Sequence, residues 1–333
     1  MAYNLVVLVK QVPDTKRITG EAMRDDGTVN RSALPAIFNP EDLHALEVAL
    51  ELRERYGGRV TVLTMGPPQA CEVLRQSLER GADEVVLVTD RRAAASDTLA
   101  TSYILACAVR KVAAEALAQD DAGARHAVPL RPDAGSALPQ AGGVDIVLCG
   151  RQAIDGDTAQ VPPQTAEKLG WTQITYVDAV EEVSGRRLRA HRNTGSGWER
   201  VEASLPCLLT VTDQGPAPRP ASAKRIMAVK KARSRAEIQM EVGAVMPDAT
   251  AEVRAAEVEK RAATLAAKSL LLKQWTLDDI AADLAWCGRD GSPTKVKRIQ
   301  SVVLKGSGFK KIDPTPEAVT TMIHELIEDH TIG

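Results

Sequence analysis

Val144-Asp145-Ile146-Val147-Leu148-Cys149, running straight into Gly150-Arg151-Gln152-Ala153-Ile154-Asp155-Gly156-Asp157-Thr158-Ala159-Gln160, decides the fold. An apolar strand meets a turn of small residues, and a helix start follows. That order is half of a βαβ unit, and it leaves backbone N–H groups unpaired at the turn. Such groups, helped by the helix dipole, favour an anion such as a phosphate. Taken alone, the turn is equally compatible with an ordinary strand–helix cap. Asp157 and Gln160 have capping-box spacing, but Pro162 and Pro163 follow at once. Proline suits the first turn of a helix that begins near Val161. The anion would then be held by the loop amides of Asp157–Gln160, and Gly156 would let the backbone come close.

The same alternation extends to both sides. Leu5–Val9 reads as an apolar strand. Asn39 reads as the cap of a helix, with Pro40 first, Glu41 and Asp42 in its first turn, and Leu43, Leu46, Ala49 and Leu50 as its buried stripe. Arg59–Met65 and Ala82–Val88 are strands, and Asp97–Ala118 is a long helix capped by Asp97 or Thr98. Ile174–Val177 is a further strand. This order predicts an α/β fold with a Rossmann-like, doubly wound, mostly parallel sheet. Leu188–His191, Trp198–Ala203 and Cys207–Val211 read as antiparallel ribbons that complete it.

Residues 119–143, rich in Ala, Gly, Pro and Asp, read as an inserted surface loop. Pro216, Pro218 and Pro220 cannot sustain a helix or a central strand. They mark the exit from a nucleotide-binding domain, residues 1–215, into an arm and tail, 216–333. From Arg219 to Arg235 the arm carries seven Lys or Arg residues and no acid, which fits a solvated arm and a partner-binding segment equally well. Helices are expected over 249–273 and 315–329. A tail joined in this way is expected to pack on another subunit.

Composition narrows the function. A net charge of −2 offers no field for nucleic acid or an anionic membrane, and 3% aromatic residues is too few for a base-stacking platform. Cys71, Cys107, Cys149, Cys207 and Cys287 form no Cys-x-x-Cys pair, so neither a zinc nor an iron–sulfur site is indicated. Cys149 and Cys207 lie in apolar strands and are expected as buried thiols. The histidines are dispersed, which gives no support to a Ser/His/Asp or metal constellation. Leu5–Val9 is too short for a signal-peptide core, and no run reaches the roughly 20 apolar residues of a membrane span. A cytoplasmic location is expected.

In open α/β sheets, ligands bind beyond the carboxyl ends of the strands. Lys10–Asp14, Met65–Gln69, Asp97–Ser102 and Gly150–Gln160 each follow a strand, so their convergence predicts a nucleotide-sized pocket.

These stretches carry a family resemblance. Gly150–Gln160 resembles the nucleotide-binding segment of the electron transfer flavoprotein beta subunit. Val9-Lys10-Gln11-Val12-Pro13-Asp14, Asn39-Pro40-Glu41-Asp42, Met65-Gly66-Pro67-Pro68-Gln69 and Asp97-Thr98-Leu99-Ala100-Thr101-Ser102 match in family order. The resemblance implies cofactor contacts at Val9, Lys10, Gln11, Asn39, Asp42, Met65, Gly66, Pro67, Asp97, Thr98 and Thr101. It implies further contacts at Gly150, Arg151, Gln152, Asp155, Gly156, Asp157, Thr158, Ala159 and Gln160. On the residues alone, Arg151 fits a phosphate partner and a surface ion pair equally well.

The family implies an electron-carrying subunit. It forms a heterodimer with an alpha subunit that carries FAD, and it serves flavin dehydrogenases of the acyl-CoA dehydrogenase type. One branch holds structural AMP in the beta subunit. The other holds a second FAD there and bifurcates electrons from NADH, and the motifs resemble this branch more closely. After the basic arm, the region Trp275–Pro293 is expected to dock a dehydrogenase, with Leu277 either as its anchor or packed in the subunit interface. An adenine-nucleotide-using enzyme of a related fold is the alternative. It would need a Ser-Gly-Gly-x-Asp-Ser-like loop where this chain has Lys10-Gln11-Val12-Pro13-Asp14.

Overall fold

Along β1 (Tyr3–Leu8), Leu5 and Val7 enter one apolar cluster while Val6 and Leu8 enter another. Side chains alternate across a strand, so an unbroken apolar run such as Leu5–Leu8 must be covered on both faces. The computed structural model describes residues 2–14, 34–123, 143–295 and 311–328, with the backbone alone for 119–123. The central expected elements are present. They are α1 (Pro40–Tyr56), β4 (Gly58–Met65), α2 (Cys71–Arg80), β5 (Glu84–Val88), α3 (Thr98–Gly123), β6 (Ile146–Gly150), α4 (Val161–Leu169) and β7 (Thr172–Ser184). A short ribbon, β2 (Gln11–Pro13) with β3 (Ala36–Phe38), lies between β1 and α1. The helix expected to end at Ala118 continues to Gly123, and the rest of the expected 119–143 loop, except Gly143, lies outside the described residues.

Beyond β7 come β8 (Arg187–Asn193), β9 (Trp198–Ser204), β10 (Cys207–Val211) and, much later, β11 (Lys273–Trp275). Together they form a nine-stranded sheet in the order β11-β5-β4-β1-β6-β10-β7-β8-β9. Strands β7, β8 and β9 pair antiparallel, as expected of the ribbon. The expectation for Cys207–Val211 is corrected. β10 lies between β6 and β7, parallel to both, with all its residues buried. Its unbroken apolar run is the pattern of a doubly covered parallel strand, not of a ribbon with one wet face.

The tail also departs from expectation. β11 pairs parallel with β5 at the sheet edge, and Trp275, Leu277 and Ile280 join the same cluster as Val6, Val147 and α3. This part of the tail therefore packs on the chain's own sheet. Leu277 is fully buried, so the docking role expected for it is withdrawn. An apolar residue flanked by polar ones is what a single core contact from a loop looks like as well.

After α5 (Ala223–Val229), helices α6 (Arg235–Val245) and α7 (Ala251–Ala266) bury Ile238, Val242 and Ala262 against each other, and the single turn α8 (Gly288–Gly291) follows β11. The last described helix, α9 (Pro316–Glu328), has no buried residue. The basic arm is partly neutralised within the chain. Arg219 pairs with Glu47 and Glu54, Arg233 with Glu241, and Arg235 with Glu259. All five cysteines are buried and free.

Candidate functional site

The order of the sheet fixes where a ligand can sit. The chain leaves β1 toward β4 and β5 on one side, and leaves β6 toward β10 and β7 on the other. β1 and β6 are parallel neighbours, with Leu8 beside Cys149. Their carboxyl ends flank a topological switch point, where the two departing connections open a crevice. Val9–Lys10 follows β1 there, and Arg151–Gln160 follows β6.

The first turn of α1 holds these two connections together. Asp42 Oδ2 accepts from the Lys10 amide at 2.8 Å, and Asp42 Oδ1 accepts from the Gly150 amide at 2.8 Å. Glu41 accepts from the Gln152 amide at 3.0 Å and from the Arg151 guanidinium at 2.7 Å. Asn39 donates from Nδ2 to the Gln152 carbonyl at 2.9 Å and accepts at Oδ1 from the Ile154 amide at 3.2 Å. Asn39 precedes the helix, as expected, but its side chain makes no cap hydrogen bond. The loop after β6 takes up its donor and acceptor instead. Burial pushes the Asp42 carboxyl up to about 7, against the opposing pull of the Gly150 and Lys10 amides. Below it, burial raises the Cys149 thiol well above its usual range, with Asp42 adding to the effect, so Cys149 is not a thiolate nucleophile.

The loop itself combines fixed and open parts. Lys10 Nζ lies 2.8 and 2.9 Å from the oxygens of Asp155, and Gln152 Nε2 donates to Asp157 Oδ1 at 3.0 Å. The amides of Gly156 and Asp157 turn back onto the Ala153 carbonyl. The next amides, those of Thr158, Ala159, Gln160 and Val161, donate to no group among the described residues. Helix α4 begins at Val161, as the prolines require. Asp157 (φ 48°) and Ala159 (φ 52°) are left-handed, while Gln160 is right-handed (φ −88°, ψ −33°). A left-handed residue followed by a right-handed one turns successive N–H groups toward one concave side, which is an anion nest. Non-glycine residues held at positive φ cost roughly 1–3 kcal/mol each, and such strain clusters at binding loops.

The remaining expected residues lie at the ends of β1 and β4 and at the start of α3. Thr98, first in α3, donates from Oγ1 to Gln160 Oε1 at 3.0 Å. Asp97 caps α3 through the Ala100 amide at 2.9 Å, and its other oxygen accepts from the Thr294 hydroxyl at 2.6 Å and amide at 2.9 Å. Burial works to raise its carboxyl, but these bonds outweigh it and hold the group below the usual range. Asp97 is thus fully occupied by protein partners, as Asp42 is. Thr101 lies one turn further on, its amide bonded to the Asp97 carbonyl. Met65 ends β4, partly buried, and the Gly66 amide is tied to the Val88 carbonyl; Pro67 follows. Val9 is buried, its carbonyl accepting from Thr64.

Gly150 serves the scaffold. A Cβ there would stand 2.6 Å from Asp42 Oδ1 and 2.8 Å from the Asp42 amide nitrogen. At Gly156 a Cβ would meet nothing within 4 Å.

Glu41 and Tyr176 escape sequence reasoning. Glu41 reads as an ordinary first-turn acid, and only its place inside Asn39-Pro40-Glu41-Asp42 hints at more. Tyr176 sits at a bulge of β7 opposite β10, at φ 59°, with its amide donating to Thr210 Oγ1 at 2.9 Å. The Arg151 guanidinium lies 5.7 Å from its ring centroid. Nothing in a strand sequence announces such a bulge. Among the described residues, no group of His, Cys, Asp or Glu could hold a metal ion. The arrangement presents a row of backbone amides, with Lys10 and Arg151 close by, to an anion.

Comparison with known proteins is consistent with that reading. A family model described as "Electron transfer flavoprotein domain" matches residues 26–129 and 117–266. The electron transfer flavoprotein subunit beta of Clostridium acetobutylicum is 37% identical over 329 residues, covering 99% of this chain and 100% of that protein. Protein FixA of Azorhizobium caulinodans is 37% identical over 299 residues, covering 89% of this chain and 83% of that protein. Caffeyl-CoA reductase-Etf complex subunit CarD of Acetobacterium woodii is 34% identical over 330 residues, covering 98% and 99% respectively.

Proposed function

This chain belongs to the electron transfer flavoprotein family, among relatives named as its beta subunit, and from that premise we propose that it holds FAD in the crevice between β1 and β6. It does so as one half of a heterodimer whose alpha subunit carries its own FAD. The observation that carries the reading is the row of amides from Thr158 to Val161 with no partner among the described residues, beside the crevice, in the loop that Lys10 holds at Asp155 and Glu41 holds at Arg151.

The residues present fit such a group. Gln11 Oε1 and Arg151 Nε are buried without a hydrogen-bond partner among the described residues, and both flank the same strand ends. They are the kind of atoms a polar ligand satisfies. The pyrophosphate would lie on the Ala159–Gln160 nest with the Thr158 and Thr98 hydroxyls at its side. Lys10 would supply positive charge, and Val9, Met65, Gly66, Pro67 and Thr101 would wall the adenosine end. When bound, FAD supplies the electron-transfer chemistry, while the protein contributes position and electrostatics. Arg151, held by Glu41 over the Tyr176 ring, would fix the flavin end.

The partner flavoenzyme is of the acyl-CoA dehydrogenase type, a reading supported by the name of the CarD relative, a subunit of a caffeyl-CoA reductase-Etf complex. NADH is the proposed donor for bifurcation, in the cytoplasm. Among the described residues no helix is long and apolar enough to cross a membrane. Titrating the heterodimer, stripped of loosely held nucleotide, with FAD and with AMP tests the reading. Tight binding of FAD, lost in Gly156→Val, supports it. Binding of AMP alone would assign a structural nucleotide instead, and binding of neither would remove the site.

A further inference from the structure

Asp42 is one of the residues expected at the cofactor, yet both its oxygens are used inside the protein. One accepts from the Lys10 amide, after β1, and the other from the Gly150 amide, after β6, each at 2.8 Å. These strands are the pair that flank the crevice, and their connections depart to opposite sides. A single carboxylate therefore spans the mouth of the site at its base. The fit is close, since a Cβ on Gly150 would collide with Asp42. Asp42 is only 5% exposed and the preceding Asn39 not at all. Neither has a surface to offer a ligand.

We propose that Asp42 is a positioning residue whose ionised carboxylate holds the loops after β1 and β6 at the spacing the nucleotide needs, so that its protonation loosens the grip and weakens nucleotide binding. The inference rests on the nucleotide-binding reading of this crevice. A carboxylate accepts two N–H groups with equal strength. A carboxylic acid carries a proton on one oxygen, and that oxygen then faces an N–H as a poor acceptor.

The groups around Asp42 are accounted for. Glu41 is committed to Arg151 and the Gln152 amide. The Lys10 ammonium is turned to Asp155, and the Asn39 amide is shared with the loop after β6. The Cys149 thiol beneath is held neutral by burial. On the same helix, His44 Nδ1 lies 3.0 Å from the Pro216 carbonyl. None of these supplies a cation to Asp42. Burial, opposed by the Gly150, Lys10 and Asn39 bonds and reinforced by Glu41, sets the carboxyl at about 7. The change then falls within the physiological range. A unit below that value, the ionised fraction is down about tenfold.

The test compares the heterodimer with its Asp42→Asn variant at pH 6 and pH 8, by calorimetric titration with AMP, the moiety common to both proposed cofactors. Hydrogen exchange of the peptides containing Lys10 and Gly150 is measured alongside, scaled to intrinsic rates. Asn matches Asp in shape but keeps one acceptor and does not titrate. In the wild type, affinity should fall about 5- to 10-fold from pH 8 to pH 6, and protection at both amides should fall with it. In Asp42→Asn, affinity should start low at pH 8 and change only by the small amount due to the AMP phosphate itself. An equal pH dependence in both proteins overturns the inference and leaves the nucleotide site standing. Protection that is flat with pH in the wild type also overturns it. Absence of AMP and FAD binding at either pH overturns the nucleotide reading, and the inference falls with it.

Discussion

Lys10 and Asp155, far apart in sequence, meet with Nζ lying 2.8 Å from Oδ1 and 2.9 Å from Oδ2. The connection after β1 thereby reaches across the crevice to the tip of the loop after β6. Half of the Lys10 side chain remains exposed, so the pair is worth little to stability, on the order of 0–1 kcal/mol. Its ammonium nevertheless stands where an incoming anion would feel it. Lys10→Met is expected to weaken nucleotide binding several-fold, more at low salt than at high, and to leave the melting temperature nearly unchanged. Titration at two ionic strengths checks this. A loss of binding that does not depend on salt would mean that Lys10 acts only through the loop.

The two glycines of the loop should separate scaffold from site. Gly150→Ala places a methyl group against Asp42 and should destabilise the fold by roughly 1–3 kcal/mol, as overpacking does. Gly156→Val has open space around it. It should fold almost normally while crowding the approach to the Thr158–Val161 amides, so bound nucleotide should fall much more than the denaturation midpoint. If Gly156→Val keeps its full nucleotide, the anion sits elsewhere.

Leu277 is fully buried among the residues packed on α3 and β6. Leu277→Ala is expected to cost about 2–5 kcal/mol in urea or guanidinium unfolding, the range for a buried leucine. A shift below 1 kcal/mol would show that this segment is not held against the sheet in solution.

Asp42 also makes a stability prediction whose sign is fixed. Its folded value, about 7, lies above the unfolded value of 3.8. The folded state therefore holds the proton more tightly, and wild-type stability is lost as pH rises from about 4 through about 7. Asp42→Asn lacks this loss. Its stability relative to wild type should improve across that window, in chemical denaturation at pH 5 and pH 8. A stability difference that is constant with pH would mean the carboxyl ionises normally.

The strand-then-turn at Val144–Gln160 and the proline-set start of α4 at Val161 were legible because both are local. The rest depended on contacts between distant segments. Cys207–Val211 carries a buried-strand pattern, but its place between β6 and β7 is a matter of sheet order, which neighbours in sequence do not reveal. Leu277 reads as an exposed anchor until β11 is seen to return to β5. Asn39 has the chemistry of a helix cap, and its side chain is diverted because the Gln152–Ile154 backbone happens to lie beside it. Asn39 and Asp42 are expected near the cofactor only through the family resemblance of their motif, and Glu41 is not singled out at all. Their partners, the amides of another loop, have no sequence signature.

The central claim is that this subunit itself holds FAD. The most direct measurement is to purify the heterodimer, release its nucleotides by denaturation, and quantify FAD and AMP against protein by chromatography. The account predicts FAD in excess of that carried by the alpha subunit, with the excess absent from the Gly156→Val heterodimer. FAD equal to the alpha subunit's share alone, with AMP or nothing in this chain, would contradict it.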